Sequence, residues 1–369
     1  MSRRQGWLVL LGALAVLAGP RTSAAWSPSG HMQIAAFSYD ALPEPTRASL
    51  VLLLRQHPRF EPDFLSQLPA DVTSPEDQAR WIFAWAAVWP DLARGQPAFE
   101  RGNWHYVNLP LSLRQGNLAS CRRARSDYPE SHRRVLAELE RRARRADADK
   151  PPSQPSESTR PELTPFGPDE IRPALAWARR TLRNATLPAP ERALALSWLL
   201  HLVADAHQPL HAVALFSARR FEFGDRGGNE ILAQGQSSLH RLWDGLLGDD
   251  SSLGFVESAA QRWRQTPQLQ ALARAARRSL DVEVWLDEDC ALARSSVYTP
   301  AVLSAVQVAE AGSADAKPEV ALDASYLRRA QQAAKRRAVQ AGSRLTALLE
   351  SLLARRDRQF NSEGLRPRP

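Results

Sequence analysis

Apolar positions recur at helical spacing through most of this chain. In "ERALALSWLLHLVADAH", Leu194, Trp198, His201 and Asp205 follow one another at intervals of three and four. That spacing places them on one continuous helix face. Pro188 and Pro190 precede the run, and Pro209 in "HQPLH" ends it. "PEDQARWIFAWAAVWPDLA" and "YLRRAQQAAKRRAVQAGSRLTALLESLL" have the same period, the second setting Ala330, Ala333, Ala334, Val339 and Leu345 against a basic face. Alternation of period two is scarce, and "GNEILAQ" reads as a short hairpin arm. The predicted class is all-α. The tryptophans read as core side chains.

The two ends and one internal stretch break this pattern. Residues 1–25 combine a basic start at Arg3 and Arg4, the apolar run "WLVLLGALAVLAG" and small residues at Ser23 and Ala25. The run is short for a bilayer span, and the set reads as a signal peptide cleaved after Ala25. No other run is long and apolar enough to serve as a membrane anchor, so the expected product is secreted or periplasmic. Between 122 and 168 the chain is first dominated by Arg, Glu and Asp, then rich in Pro and Ser. That segment reads as an exposed charged helix and linker inserted into one domain spanning 26–369. Its arginines are a solvated face or, as the alternative, a nucleic-acid contact. The tail 361–369 reads as disordered. No protein partner is evident in the sequence.

Charge and cysteine add little. The net formal charge is +8, and losing Arg3, Arg4 and Arg21 with the leader lowers it to +5. This suits an anionic substrate without demanding one. The only cysteines are Cys121 and Cys290. In an oxidising compartment they read as one disulfide, with two free buried thiols as the alternative.

The chemistry lies in the histidines. His201 and Asp205 are an i, i+4 pair, as are His240 and Asp244 in "LHRLWD". Pro209 turns the chain so that His211 is brought back toward the first pair. "WHYVNLP" contributes His105, "VWPDLAR" contributes Asp91 and Arg94, and "WSPSGH" contributes His31. Imidazole and carboxylate without thiolate suit zinc in a catalytic role. Carboxylates in apolar surroundings need a metal or hydrogen bonds to offset several kcal/mol. His57 and His132 lie in polar company, and His207 falls on another face of its helix, as an outer neighbour of the site or an exposed residue.

"WSPSGH", "WPDLAR", "WHYVNLP", "HLVADAHQPLH", "GDRGGNE" and "LHRLWD", in this order, resemble the zinc-dependent single-strand-specific nucleases, the S1/P1 and mung bean type. "WLDEDC" and "AGSRL" extend the likeness toward the C-terminus. The resemblance implies an all-α fold shared with zinc phospholipases C, and three Zn²⁺ per chain. One zinc would take Asp91, His105, His201 and Asp205. A second would take His31, Asp205 and the free α-amine and carbonyl of Trp26. A third would take His211, His240 and Asp244. The implied mechanism uses water activated by the paired zincs and oriented by Asp91, with Arg94 neutralising developing charge. The implied substrates are single-stranded DNA and RNA, cut to 5′-phosphates, and 3′-nucleotides. Tyr106 would stack an unpaired base, Asn108 would face it, and Asn229 would shape the cleft. Two other functions fit the residues: a zinc phospholipase C, and a non-enzymatic zinc-stabilised module binding polyanions.

Overall fold

The computed structural model describes residues 26–114, 117–119, 121, 170–233, 237–312 and 316–363, with side chains as far as 353. The leader, the charged segment 122–168 and residues 364–369 lie outside the described residues, and so does His132. The N-terminal half carries α1 (Pro28–Ala41), α2 (Glu44–Leu54), α3 (Phe60–Asp63), α4 (Pro75–Ala86) and α5 (Trp89–Leu92), then strands β1 (Leu109–Arg114) and β2 (Asn117–Leu118). The rest comprises α6 (Ile171–Arg183), α7 (Ala189–Asp205), α8 (Pro209–Ala212), β3 (Val213–Phe216), β4 (Leu232–Ala233), β5 (Ser237–Ser238) and α9 (Leu239–Asp244). It continues through α10 (Leu253–Gln265), α11 (Pro267–Ala276), α12 (Val282–Leu292), α13 (Pro300–Ala311), β6 (Glu319–Val320) and α14 (Ala324–Glu363). The chain is mostly helical, as the pattern predicts.

Helix α7 is the axis of the fold. Every residue from Ala193 to Asp205 is buried, the mark of a helix enclosed on all sides. It contacts α1, α2, α4, α5, α6 and α14. The long α14 closes the opposite side with Ala330, Ala334, Ala338, Leu345 and Leu349 buried. Gly342 permits the approach of α14 to α1, since a Cβ there would lie 2.7 Å from the Phe37 ring. Ser74 caps α4 by accepting from the Asp77 N–H at 3.0 Å, and Pro75 takes its first turn.

Three features differ from the sequence expectation. The helical run from Pro75 does not continue to Ala93: α4 stops at Ala86, and α5 restarts at Trp89 with Pro90 in its first turn. Proline lacks the N–H that an unbroken helix needs there. At the C-terminus α14 continues to Glu363, three residues into the stretch expected to be disordered. The third is an unexpected parallel pairing of β1 with β3, Leu109 opposite Val213 and Ser112 opposite Phe216. The hairpin expectation is met, since β4 pairs antiparallel with β5 and parallel with β6.

Of the tryptophans described, all are buried except Trp85, which is half-buried. Cys121 and Cys290 form a disulfide. It closes a loop spanning 169 positions, worth about 5 kcal/mol in the chain-entropy model. Among the described residues no helix is long and apolar enough to cross a membrane.

Candidate metal centre

Two short parallel strands do most of the assembly. β1 begins four residues after His105, and β3 begins two residues after His211. Their pairing brings the two histidines side by side. Val107 N–H donates to the His211 carbonyl at 2.8 Å, and His211 Nδ1 donates to the His105 carbonyl at 2.7 Å. The last two turns of α7 then present His201 and Asp205 from the core.

Three groups of potential metal ligands result: His31, His201 and Asp205; Asp91, His105 and His201; and His211, His240 and Asp244. All are buried except Asp91, which is half-buried. Asp205 Oδ2 lies 3.0 Å from His201 Nε2 and 3.1 Å from His105 Nδ1. Its other oxygen faces His31 Nε2 at 3.4 Å. His105 Nδ1 and His201 Nε2 are 2.8 Å apart. In the third group His240 Nε2 lies 3.5 Å from Asp244 Oδ2. Ligand atoms about 2.0–2.1 Å from a tetrahedral zinc would be about 3.3–3.4 Å apart, close to these separations.

The hydrogen bonds behind the rings test whether a cation fits. His201 Nδ1 donates to Ala87 O, His211 Nδ1 to His105 O, and His240 Nδ1 to Gly227 O, each at 2.7 Å. Those bonds fix the tautomer and leave each Nε2 lone pair facing inward, as in metal-ligating histidines. His31 Nδ1 and Nε2, Asp205 Oδ1 and His211 Nε2 are buried without a hydrogen-bond partner among the described residues. Inward lone pairs and a carboxylate at contact distance repel one another unless a proton or a cation lies between them. The residues fit divalent metal.

Further residues hold the groups in place. Gly227 has φ +61°, and a Cβ there would lie 2.2 Å from the Leu210 carbonyl, so only glycine delivers its carbonyl to His240. Gln208, which the sequence reading passed over, is fully buried. Its Nε2 donates to Asp244 Oδ1 and its Oε1 accepts from Leu210 N–H, both at 2.6 Å. Its place inside "HQPLH" was the available signal. "WLDEDC" and "AGSRL" form a brace beneath α7. Arg344 is 2.7 Å from both oxygens of Glu288, and its Nη1 lies 2.8 Å from His207 Nε2. His207 is fully buried and bonds Val203 O through Nδ1; it is neither exposed nor within the three groups. His57 is likewise not in polar company but buried against Phe64 and Trp89.

Trp26 is fully buried. Its indole Nε1 donates to the carbonyl of Ala204, the residue before Asp205, at 3.0 Å. Ser27 N–H donates to the Asp244 carbonyl at 2.9 Å. The start of the described chain thus sits against the backbone at Asp244 and at the residue before Asp205.

A cleft of about 710 Å³ opens onto His105 of the second group and His211 and His240 of the third, within the range of about 300–1,000 Å³ usual for ligand sites. Arg94, His105, Tyr106, Asn108, His211, Asn229 and His240 line it. Arg94 Nη2 lies 2.9 Å from Asp91 Oδ1. Tyr106 is 37 % exposed and its hydroxyl donates to Asn103 Oδ1 at 3.1 Å. Asn229 spends its amide on the loop, donating through Nδ2 to the Arg226 carbonyl at 2.9 Å.

Burial dominates the protonation equilibria of the metal-free chain. It holds His31 and His105 well below the ordinary value, helped by His201 and Arg94, and His211 likewise, helped by His240. It lowers His207, with Arg337 and Arg344 adding to it, His240 to about 4 and His57 to about 3. It raises Asp205 and Asp225 to about 6 and Asp289 to about 7. In His201 burial opposes the charge, but Asp205 and Asp91 outweigh it and raise the ring. Six lowered histidines against three raised carboxylates and His201 mean that the unfolded chain binds more protons below about pH 6.5. Stability then rises with pH. Chelated protein is expected to be most stable above the ordinary histidine value of 6.5. It should lose stability as pH falls toward the folded values near 4 and 3. Thermal unfolding in EDTA at pH 7.5 and 5.0 checks this: the midpoint should be lower at 5.0, and an unchanged or higher one would mean that the carboxylates dominate.

Comparison with known proteins points the same way. A family model described as S1/P1 Nuclease matches residues 168–354, half of the chain. Endonuclease 4 of Arabidopsis thaliana is 26 % identical over 178 residues, covering 46 % of this chain and 53 % of that protein. The chain thus spans about half the length of the curated relative it matches. The family match contains His201, Asp205, His211, His240 and Asp244; the fold brings His31, Asp91 and His105 to them from outside it.

Proposed function

The chain belongs to the S1/P1 nuclease family, and from that premise we propose that it is a secreted zinc-dependent endonuclease acting on single-stranded DNA and RNA. The products would be 5′-phosphates and 3′-hydroxyls, and 3′-nucleotides would be substrates too. The reading rests on one observation: two of the ligand groups share His201, with the Asp205 carboxylate facing His31 and His105 across them, and the third group meets the second along one cleft.

Asp91, His105, His201 and Asp205 would hold one zinc; Trp26, His31 and Asp205 a second; His211, His240 and Asp244 a third. Bound zinc would supply the charge that lowers the pKa of water toward 7 and polarises a phosphoryl oxygen. The chain's own groups do the rest. Asp91, ion-paired to Arg94, accepts a hydrogen bond from the attacking water and so sets its line of approach. Arg94 donates to the phosphoryl oxygens as charge builds on them. Nothing in this scheme uses a 2′-hydroxyl, so RNA and DNA are both cut. Tyr106 holds an exposed ring at the cleft wall, where base stacking is worth about 1–3 kcal/mol whichever base is offered. A paired base cannot reach that ring without leaving its stack. Asn108 offers the base both a donor and an acceptor.

The test compares denatured and duplex DNA, with and without EDTA. Denatured DNA should be cut to 5′-phosphate ends, activity should vanish in EDTA, and zinc should restore it. Lecithin hydrolysis without nuclease activity would overturn the reading in favour of a phospholipase. Tyr106→Ala is expected to raise KM for single strands about ten-fold and to change kcat less than two-fold. A loss confined to kcat would instead place Tyr106 in the bond-breaking step.

A further inference from the structure

Two aromatic side chains are exposed among the described residues: Tyr106 at 37 % and Phe223 at 60 %. Both line the same cleft. A large apolar ring left in water forgoes stabilisation that burial would give, so its position needs a cause.

Phe223 is not at the tip of a slack loop. Two residues before it, Phe221 is buried, and its N–H donates to Ser217 Oγ at 3.0 Å. The Phe221 carbonyl accepts from Ser217 N–H at 3.2 Å and Gly224 N–H at 3.1 Å. Two residues after it, Asp225 is fully buried and accepts from the Tyr298 hydroxyl at 2.7 Å and the Leu215 N–H at 2.9 Å. Gly224 has φ +88°, and a Cβ there would meet the Phe216 ring at 3.0 Å. The fold fixes the backbone on both sides of Phe223 and still presents the ring to the cleft. Ordering of this kind is done before a ligand arrives, which favours binding.

The cleft wall nearby is cationic. Arg226 is the one non-glycine residue with positive φ, at 55°, among those described. Backbone strain of this kind concentrates at ligand clamps. Its guanidinium lies 3.4 Å from Glu230 Oε1, and Lys317 Nζ lies 2.9 Å from Glu230 Oε2. One carboxylate therefore steadies two cations, and one positive charge remains in excess. Arg226, Glu230 and Lys317 all line the cleft with Phe223.

We propose that Phe223, with Arg226 and Lys317, forms a second nucleotide subsite, stacking the base across the scissile bond from the one on Tyr106. The two cations would contact the backbone phosphate of that nucleotide. The subsite rests on the nuclease reading above and adds to it: the enzyme would grip two successive bases of a single strand, whichever they are, because each has a π face.

The experiment measures KM and kcat of the processed, zinc-loaded protein for a 3′-mononucleotide, a dinucleotide and a tetranucleotide. The mononucleotide has no second base. Phe223→Ala is expected to raise the ratio of dinucleotide to mononucleotide KM about ten-fold, as stacking energies of this size imply. Phe223→Trp should return the ratio to the wild-type value. An unchanged ratio overturns the subsite, whether because neither KM moves or because both rise together. Wild-type protein that cleaves none of the three substrates overturns the nuclease reading itself, and the subsite with it.

Discussion

Asp205→Asn is expected to lower nuclease activity by more than about 100-fold, since changing even an outer partner of a metal ligand costs about 10–100-fold. Each oxygen of Asp205 serves a different group: Oδ2 faces His201 and His105, and Oδ1 faces His31. Asparagine keeps the shape but replaces one oxygen with an amide NH₂ and removes the charge. An NH₂ group is a donor with no lone pair to offer a cation. The paired zincs should be lost and the third, on His211, His240 and Asp244, kept. The change in the metal-free state has the opposite sign. Burial raises the Asp205 carboxyl to about 6, so at neutral pH it is charged in the folded chain at a cost in stability. Asparagine removes that cost. The variant should therefore unfold at a higher temperature than wild type in EDTA and at a lower one in zinc. Metal content by atomic emission, activity, and melting in both buffers give the result. Three zincs per chain with full activity would remove Asp205 from the site.

The second large effect concerns the N-terminus proposed at Trp26. Protein made with one extra methionine before Trp26 keeps every side chain of the proposed site. It converts the α-amine of Trp26 to an amide, whose nitrogen lone pair is delocalised into the carbonyl and is a poor ligand. The zinc proposed for His31 and Asp205 would lose a donor. We expect near-complete folding, about two zincs per chain and severely reduced activity. An aminopeptidase that removes the methionine, followed by zinc, should restore it. Trp26 is buried, with its indole tied to the carbonyl preceding Asp205, so the backbone at this position is held beside that carboxylate. Equal metal content and activity in the two forms, with the termini confirmed by mass spectrometry, would show that the amine is not a ligand.

Some of this site could be read from spacing alone, and the reason is local. His201 and Asp205, like His240 and Asp244, are one helical turn apart, so a single element fixes their relation. The axis helix was equally plain from its continuous apolar run. The union of His105 with His211 was not, because these histidines, 106 residues apart in sequence, meet only through a parallel strand pair. A pairing over only four residues carries little alternation of its own. Gln208 was overlooked because its amide acts only through Asp244 and a turn. His207 read as an outer neighbour of the site or an exposed residue; it is buried, because arginines from α14, more than a hundred residues away, cover it. Phe223 gave no signal in the sequence, since one aromatic among charged neighbours reads equally as packed or exposed.

The bond from His211 Nδ1 to the His105 carbonyl has a consequence beyond holding a ring. Under the proposed assignment, the residue that ligates the first zinc orients, through its backbone, a ligand of the third. Val107 N–H returns the link to the His211 carbonyl. Filling either position would stiffen this loop and so prepare the other, and a coupling of this kind is reciprocal. Loading of the metal-free protein would then be cooperative. Such an enzyme would respond to ambient zinc as a threshold, inactive below it and complete above it, with few molecules partly loaded between.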